Sequence, residues 1–148
     1  LTLANVCKLS DTELPVIAAM LGLSGSIRDQ LKGLLDAYGL RLVVYTRGAN
    51  GSLLYNGREW CEHPGLLTKV RDTIGAGDSF TAAVVMGLLQ GWPLEKISRH
   101  ANEIAAHVCG HDGAVPELPR SLRDQFLWKG WENPFKVTYP NSLERTAE

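Results

Sequence analysis

The 148-residue chain is poor in several things, and each shortage narrows what it does. Its three cysteines, Cys7, Cys61 and Cys109, are odd in number, far apart and without a C-x-x-C pair, which excludes a disulfide framework and suits reduced thiols. No apolar run approaches the ~20 residues that cross a bilayer, and residues 1–10 lack the layout of a signal peptide. The expected setting is therefore cytoplasmic, away from membranes. Neither sign of charge prevails: 15 Lys and Arg against 16 Asp and Glu leave a net charge of −1, which offers no electrostatic footprint to nucleic acid. Internal repeats and low-complexity runs are absent as well. What remains, 45% hydrophobic and 21% charged residues, is the balance of a globular chain long enough for one real core.

The most informative run is Asp72-Thr73-Ile74-Gly75-Ala76-Gly77-Asp78-Ser79-Phe80-Thr81-Ala82-Ala83. It sets a glycine turn, one acidic residue and an apolar-periodic helix in immediate succession. A helix start leaves backbone N–H groups unpaired at the electropositive end of the macrodipole, where negative oxygen is welcome. Gly75 and Gly77 let the backbone approach a ligand closely, and Asp78 brings a carboxylate to the same spot. Two readings follow. Asp78 caps the helix of a simple connector, or it takes the proton of a hydroxyl while a phosphoryl group is transferred beside it.

A second run, residues 40–46, is short, apolar and β-branched and follows a helical segment, as a buried parallel strand does. It ends in Arg47-Gly48-Ala49-Asn50-Gly51. Open parallel sheets bind their ligands beyond the carboxyl ends of strands, so Thr46 to Gly51 is where a nucleotide is expected. Around these runs the pattern predicts a strand over 2–8, a helix over 11–21 opened by a Ser10-x-x-Glu13 capping box with Pro15 in its first turn, and a helix capped by Ser24. The last of these carries Ile27, Leu31, Leu34, Leu35 and Tyr38 on one face and stops at Gly39. Asn56-Gly57 between residues 52–55 and 58–62 signals a hairpin. The helix after Asp78 turns Phe80, Ala83, Val84, Gly87 and Leu88 inward, and Gly91-Trp92-Pro93 separates it from a helix over 94–109 that buries Leu94, Ile97, Ala101, Ile104, Ala105 and Val108. Alternating strands and helices of these lengths predict an α/β fold, a mostly parallel sheet covered on both faces. His107, Cys109 and His111 concentrate metal-ligand types but form only half of a structural zinc set, and Gly110 is expected to end the helix between the two histidines and part their faces. Cys61 and His63 offer no more. From Leu118 prolines interrupt the rhythm, with a short helix near 121–127 and then a tail that contains Trp128 and Trp131.

Residues 72–83 resemble the D-T-x-G-A-G-D-x-F signature of the PfkB, or ribokinase-like, carbohydrate kinases. Thr46-Arg47-Gly48-Ala49-Asn50-Gly51 matches that family's T-x-G-x-x-G, and Ser10-Asp11-Thr12-Glu13 stands where many members carry N-x-x-E, with Glu13 matching and Ser10 departing. The resemblance covers about residues 3–120, the carboxyl-terminal half of a much longer domain. It implies a ribokinase-like three-layer α/β/α fold in which 1–120 form the nucleotide-binding and catalytic part and 121–148 a short helix and irregular tail. It further implies ATP as donor, a sugar or sugar acid as acceptor, Mg²⁺ and K⁺ as ions, and a homodimer as the assembly. Carried over by position, the amides of Gly75, Ala76 and Gly77 form the anion hole and Asp78 is the general base. Thr46, Arg47, Gly48 and Gly51 hold nucleotide phosphates, and Asn102, Ala105 and Ala106 flank the adenine, although core packing explains the alanines equally well. Glu13 organises Mg²⁺ through water in addition to its capping role, and Asp72 and Gly113 border a K⁺ site. The phrase Lys8-Leu9-Ser10-Asp11-Thr12-Glu13-Leu14 looks closest to the fructokinase-like branch. The missing half supplies the family's sugar clamp and lid, so these residues alone are expected to bind nucleotide weakly at best. Two rivals stand beside this reading: a non-catalytic nucleotide-binding or regulatory fragment, and an assembly protein that docks a partner through Trp128 and Trp131.

Overall fold

A computed structural model describes residues 1–126, so the tail with Trp128 and Trp131 lies outside the described residues. Its framework is a four-stranded sheet in the order β1 (Val6–Ser10), β2 (Leu42–Thr46), β3 (Ser52–Tyr55), β4 (Trp60–His63). β1 and β2 run parallel, joined by α1 (Glu13–Leu21) and α2 (Ile27–Tyr38), whereas β2–β3 and β3–β4 are antiparallel. The sheet is thus mixed, with its parallel character confined to the first pair among the described residues. α3 (Ala76–Leu89), α4 (Leu94–Cys109) and the short α5 (Arg120–Arg123), followed by a 3₁₀ turn over Asp124–Phe126, come after the sheet among the described residues.

Strand alternation explains the layers. Along β2, Val43 and Tyr45 join Leu14, Leu31, Leu34 and Leu35 of α1 and α2 in one core, while Leu42 and Val44 join Phe80, Ala83, Val84, Ile97, Ala101 and Ile104 of α3 and α4 in another. A strand buried on both faces must be apolar throughout, which is why residues 42–45 read as an uninterrupted run. The result is a three-layer α/β/α sandwich. Because β1 and β2 are parallel and in register, their carboxyl ends, Ser10 and Thr46, lie side by side at one edge.

Several boundaries differ from the sequence pattern for local reasons. Residues 1–4 close a turn through Ala4 N–H and Leu1 O, so β1 starts at Val6 rather than at residue 2. α2 is capped by Ser26, not Ser24. Ser26 Oγ accepts from Asp29 N while the Asp29 carboxylate accepts from Ser26 N, a reciprocal box that Ser24, with Ile27 three residues on, could not form. In the hairpin, Asn56 Oδ1 accepts from the N–H groups of Arg58 and Glu59 at 3.0 and 2.9 Å. The turn is therefore wider than two residues, and β4 begins at Trp60. On α3 the buried stripe is Phe80, Ala83, Val84 and Gly87; Leu88, expected inside, falls at the margin of that stripe and is 38% exposed. No helix among the described residues is long and apolar enough to cross a membrane.

Candidate active site

The expected nucleotide residues converge on one cavity of about 410 Å³ at the carboxyl end of β2. Thr46, Gly48 and Gly51 come from the end of β2 and the one-turn 3₁₀ helix that follows, Ala76 and Gly77 from the start of α3, and Asn102, Ala105 and Ala106 from α4. Arg47 does not join them. Its guanidinium turns to β4, pairing with Glu62 Oε1 at 2.8 Å and donating to His63 O at 3.3 Å. This contact, with Arg28 beside the same carboxylate, holds Glu62 below the usual carboxylate range. Arg47 is thereby a fastener of the β2–β4 corner, because a partly buried guanidinium finds its nearest acceptors there.

The opposite wall is the connector 64–75, from which Gly65, Leu66, Leu67, Thr68, Val70 and Thr73 line the cavity. Sequence periodicity carries no signal for it. The informative feature is a pair of glycines at a chain crossing: Gly51 has φ +77°, and a Cβ on it would collide with His63 O and Gly65 N, while one on Gly65 would collide with Ala49 O. Only glycine lets these two segments touch.

At the head of α3, Gly75 is the N-cap with φ 81° and ψ −10°, and a Cβ there would collide with the Ala114 carbonyl. The turn it makes consumes one of the three expected anion-hole amides, since Ala76 N–H donates to Thr73 O at 3.3 Å. Among the described residues the N–H groups of Gly75, Gly77 and Asp78 have no internal acceptor, and the next amide, Ser79, already bonds Gly75 O. In the free set Asp78 thus takes the place of Ala76, leaving Gly75, Gly77 and Asp78, through the geometry of a first helical turn. The Asp78 side chain is exposed, makes no hydrogen bond among the described residues, and borders a second depression of about 240 Å³ with Gly75 and Ser79. It caps nothing.

One charged residue escaped the sequence reading. Lys8 Nζ lies 3.9 Å from the point at which a Gly77 Cβ would stand. Alternation explains it: Cys7 and Leu9 of β1 enter the α1–α2 core, so Lys8, in register with Val44, rises toward α3. A lysine between two inward apolar residues was the available signal.

The expected Ser10–Glu13 bonds form, but in the turn that leads into α1, whose N-cap is Thr12 with no side-chain cap bond: Glu13 Oε2 accepts from Ser10 N at 2.7 Å and the Glu13 N–H donates to Ser10 Oγ at 3.3 Å. The Ser10 bonds, backbone first, and the Lys8 charge lower the Glu13 pKa, keeping it ionised. One carboxylate oxygen has no hydrogen bond among the described residues, which suits an outer-sphere role toward Mg²⁺, an ion that keeps most of its waters and phosphate ligands. Asp72 and Gly113 meet: Asp72 Oδ2 accepts from Gly113 N at 3.2 Å, and Oδ1 from Ile74 N at 2.9 Å. Each oxygen accepts one N–H and keeps a second lone pair. His107 and His111, expected to be parted by Gly110, lie together with ring centroids 4.2 Å apart and their planes tilted by 37° across the helix end. A nitrogen of each faces a backbone carbonyl, of Glu117 and of His107 respectively, and no cluster of three or more His, Cys, Asp or Glu exists among the described residues.

A family profile described as pfkB family carbohydrate kinase matches residues 1–120. The chain is 36% identical over 91 residues to the ATP-dependent 6-phosphofructokinase of Thermoanaerobacterium thermosaccharolyticum, an alignment covering 62% of this chain and 28% of that protein. It is 35% identical over 124 residues to a fructosamine kinase of Bacillus subtilis, covering 84% and 39%. Ribokinase from Thermotoga maritima superposes with a TM-score of 0.70 at 24% identity, over 83% of this chain and 42% of that one, a likeness of fold. The chain therefore spans between 28% and 42% of the length of these three relatives.

Proposed function

Because the chain belongs to the pfkB family of carbohydrate kinases, we propose that the protein to which these residues contribute transfers the γ-phosphoryl group of ATP to a sugar hydroxyl, with a fructokinase-like ketose as the acceptor class. The supporting observation is that an ammonium and unpaired amides at a helix start stand at a cavity of nucleoside size, while the unpartnered Asp78 carboxylate, one residue on from Gly77, opens on the neighbouring depression. The base and ribose occupy the cavity between the 64–75 connector and α4, with Thr46 and Gly48 near the phosphates. The N–H groups of Gly75, Gly77 and Asp78, the positive end of α3 and the Lys8 ammonium stabilise charge that grows on the equatorial oxygens during transfer. Ala76 shapes this turn. Asp78 accepts the proton of the attacking hydroxyl. Glu13 would help hold Mg²⁺, which would supply neutralisation of phosphate charge when bound. Asp72 and Gly113 hold the loop on which the amides sit, and K⁺ there is part of the proposal.

In the complete protein, Asp78→Asn is expected to lower turnover about 10²- to 10⁴-fold while leaving ATP affinity unchanged, the mark of a lost general base. Unchanged turnover on the best acceptor removes Asp78 from the mechanism. For the 148 residues alone, the short span against the relatives favours a second reading, nucleotide binding without turnover. Orientation of the acceptor contributes about 7–11 kcal/mol in well-positioned reactions, and an acceptor that is not held forgoes it. Phosphorylation of a sugar panel by the isolated chain refutes that second reading.

A further inference from the structure

Asn102 lines the cavity and is 7% exposed. A primary amide shows a ligand either its oxygen or its nitrogen, and here the choice is made behind it. Asn102 Nδ2 donates to Ser98 O at 2.7 Å and to Ser52 Oγ at 2.8 Å, so both of its N–H bonds are spent. Ser98 O is a carbonyl and can only accept; turning the amide over would press two acceptors together. Ser52 and Ser98 are fully buried, with their hydroxyls 3.5 Å apart, so water does not compete for these bonds. Ser52 opens β3 in register with Thr46, which ties the lock to the strand that also lines the cavity. The amide oxygen, Asn102 Oδ1, is left without a hydrogen-bond partner among the described residues. That oxygen is therefore the acceptor the residue offers to the cavity, and a ligand that displaces water from it must bring a donor to replace the lost hydrogen bond.

Resting on the nucleotide reading of this cavity, we propose that Asn102, oriented by Ser52 and Ser98, selects nucleobases that present an exocyclic amino group, and that Ser52 is a positioning residue for that selection. A 6-aminopurine donates to the fixed carbonyl. A 6-oxopurine of the same shape sets its oxygen against that carbonyl, and Ala105 and Ala106, which follow on the same helix and line the same cavity, carry no side-chain donor. Sites built around a fixed polar group reject the mismatched analogue in this way.

The test is calorimetric titration of the 148-residue chain with ATP and with ITP, which differ at this edge of the ring. The chain is expected to bind ATP about 10- to 100-fold more tightly, the range of one buried hydrogen bond and its mismatch. Ser52→Ala frees one side of the amide and should shrink that ratio mainly by improving ITP, whereas mere structural damage would weaken both nucleotides alike. Asn102→Ala should bring the ratio close to one. Equal binding of ATP and ITP by the unmodified chain overturns the base selection and leaves the nucleotide reading intact. Failure of both nucleotides to bind overturns both.

Discussion

Replacing Gly77 by alanine separates what the fold wants at the head of α3 from what the site wants. Gly77 does not have a positive φ, and the nearest atom to an added Cβ is Lys8 Nζ at 3.9 Å, ordinary contact at the tip of a flexible side chain. The methyl group is therefore accommodated. Alanine favours helix over glycine and narrows the unfolded ensemble, so stability should rise by about 0.5–1 kcal/mol, or roughly 2–5 °C in Tm. The same methyl would stand 3.9 Å from the Lys8 ammonium, in the space an oxygen contacting both Lys8 and the Gly77 amide is expected to use. Losing that charge-assisted contact is worth about 1.5–3 kcal/mol, a 10- to 100-fold weaker Kd for ATP. Adenosine, which carries no phosphate, should bind both proteins alike. Thermal melting with calorimetry of ATP and adenosine measures all three quantities. A stabilised variant that binds ATP as before places the phosphates elsewhere, and a destabilised one refutes the local geometry.

Other expectations follow from the same contacts. Lys8→Met should weaken ATP about tenfold and flatten the salt dependence of binding, with little change in adenosine affinity, since one charge near the phosphates, whose attraction salt screens, is removed. Gly75→Ala, at φ 81° against the Ala114 carbonyl, should lower Tm by several degrees and abolish ATP binding, because strain and collision act at one residue. His100 is buried between Trp92 and Phe126, and neither ring nitrogen has a hydrogen-bond partner among the described residues. Burial lowers its pKa below the ordinary 6.5, with the Glu103 carboxylate 3.5 Å away offsetting part of the effect. The unfolded chain then binds the proton more readily, so His100 contributes full stability above pH 6.5, and that contribution declines as the pH falls toward the folded pKa. Denaturant titrations from pH 7.5 to about 5 should show a shallower acid loss in His100→Phe than in the unmodified protein, with His63, also lowered by burial, supplying the remainder. Equal slopes refute the assignment.

The readable parts of the molecule are those governed by near neighbours. The 42–46 strand, the Ser10–Glu13 bonds, the Gly39 stop and the full extent of α4 were legible because burial on two faces, reciprocal local bonds and helical spacing are written within a few residues. The order glycine turn, acid, helix around Gly75–Asp78 was legible for the same reason. Where the pattern misled, a competing local bond won: Ser26 over Ser24, and the Asn56 side chain over a two-residue turn.

The chain order alone carries the three layers, the cavity's position at the end of β2 and the acid beside the helix start, since these follow from periodicity and from the unpaired groups at helix ends. Tertiary structure decided everything that depends on side chains brought together from far along the chain. Lys8 reaches Gly77 only because β1 is parallel to β2 and one strand face meets α3. Arg47 leaves the site because β4 folds back beside it with Glu62. The outlook of the Asn102 amide depends on a serine opening another strand and on a carbonyl one helical turn back, which no spacing along the chain could have disclosed.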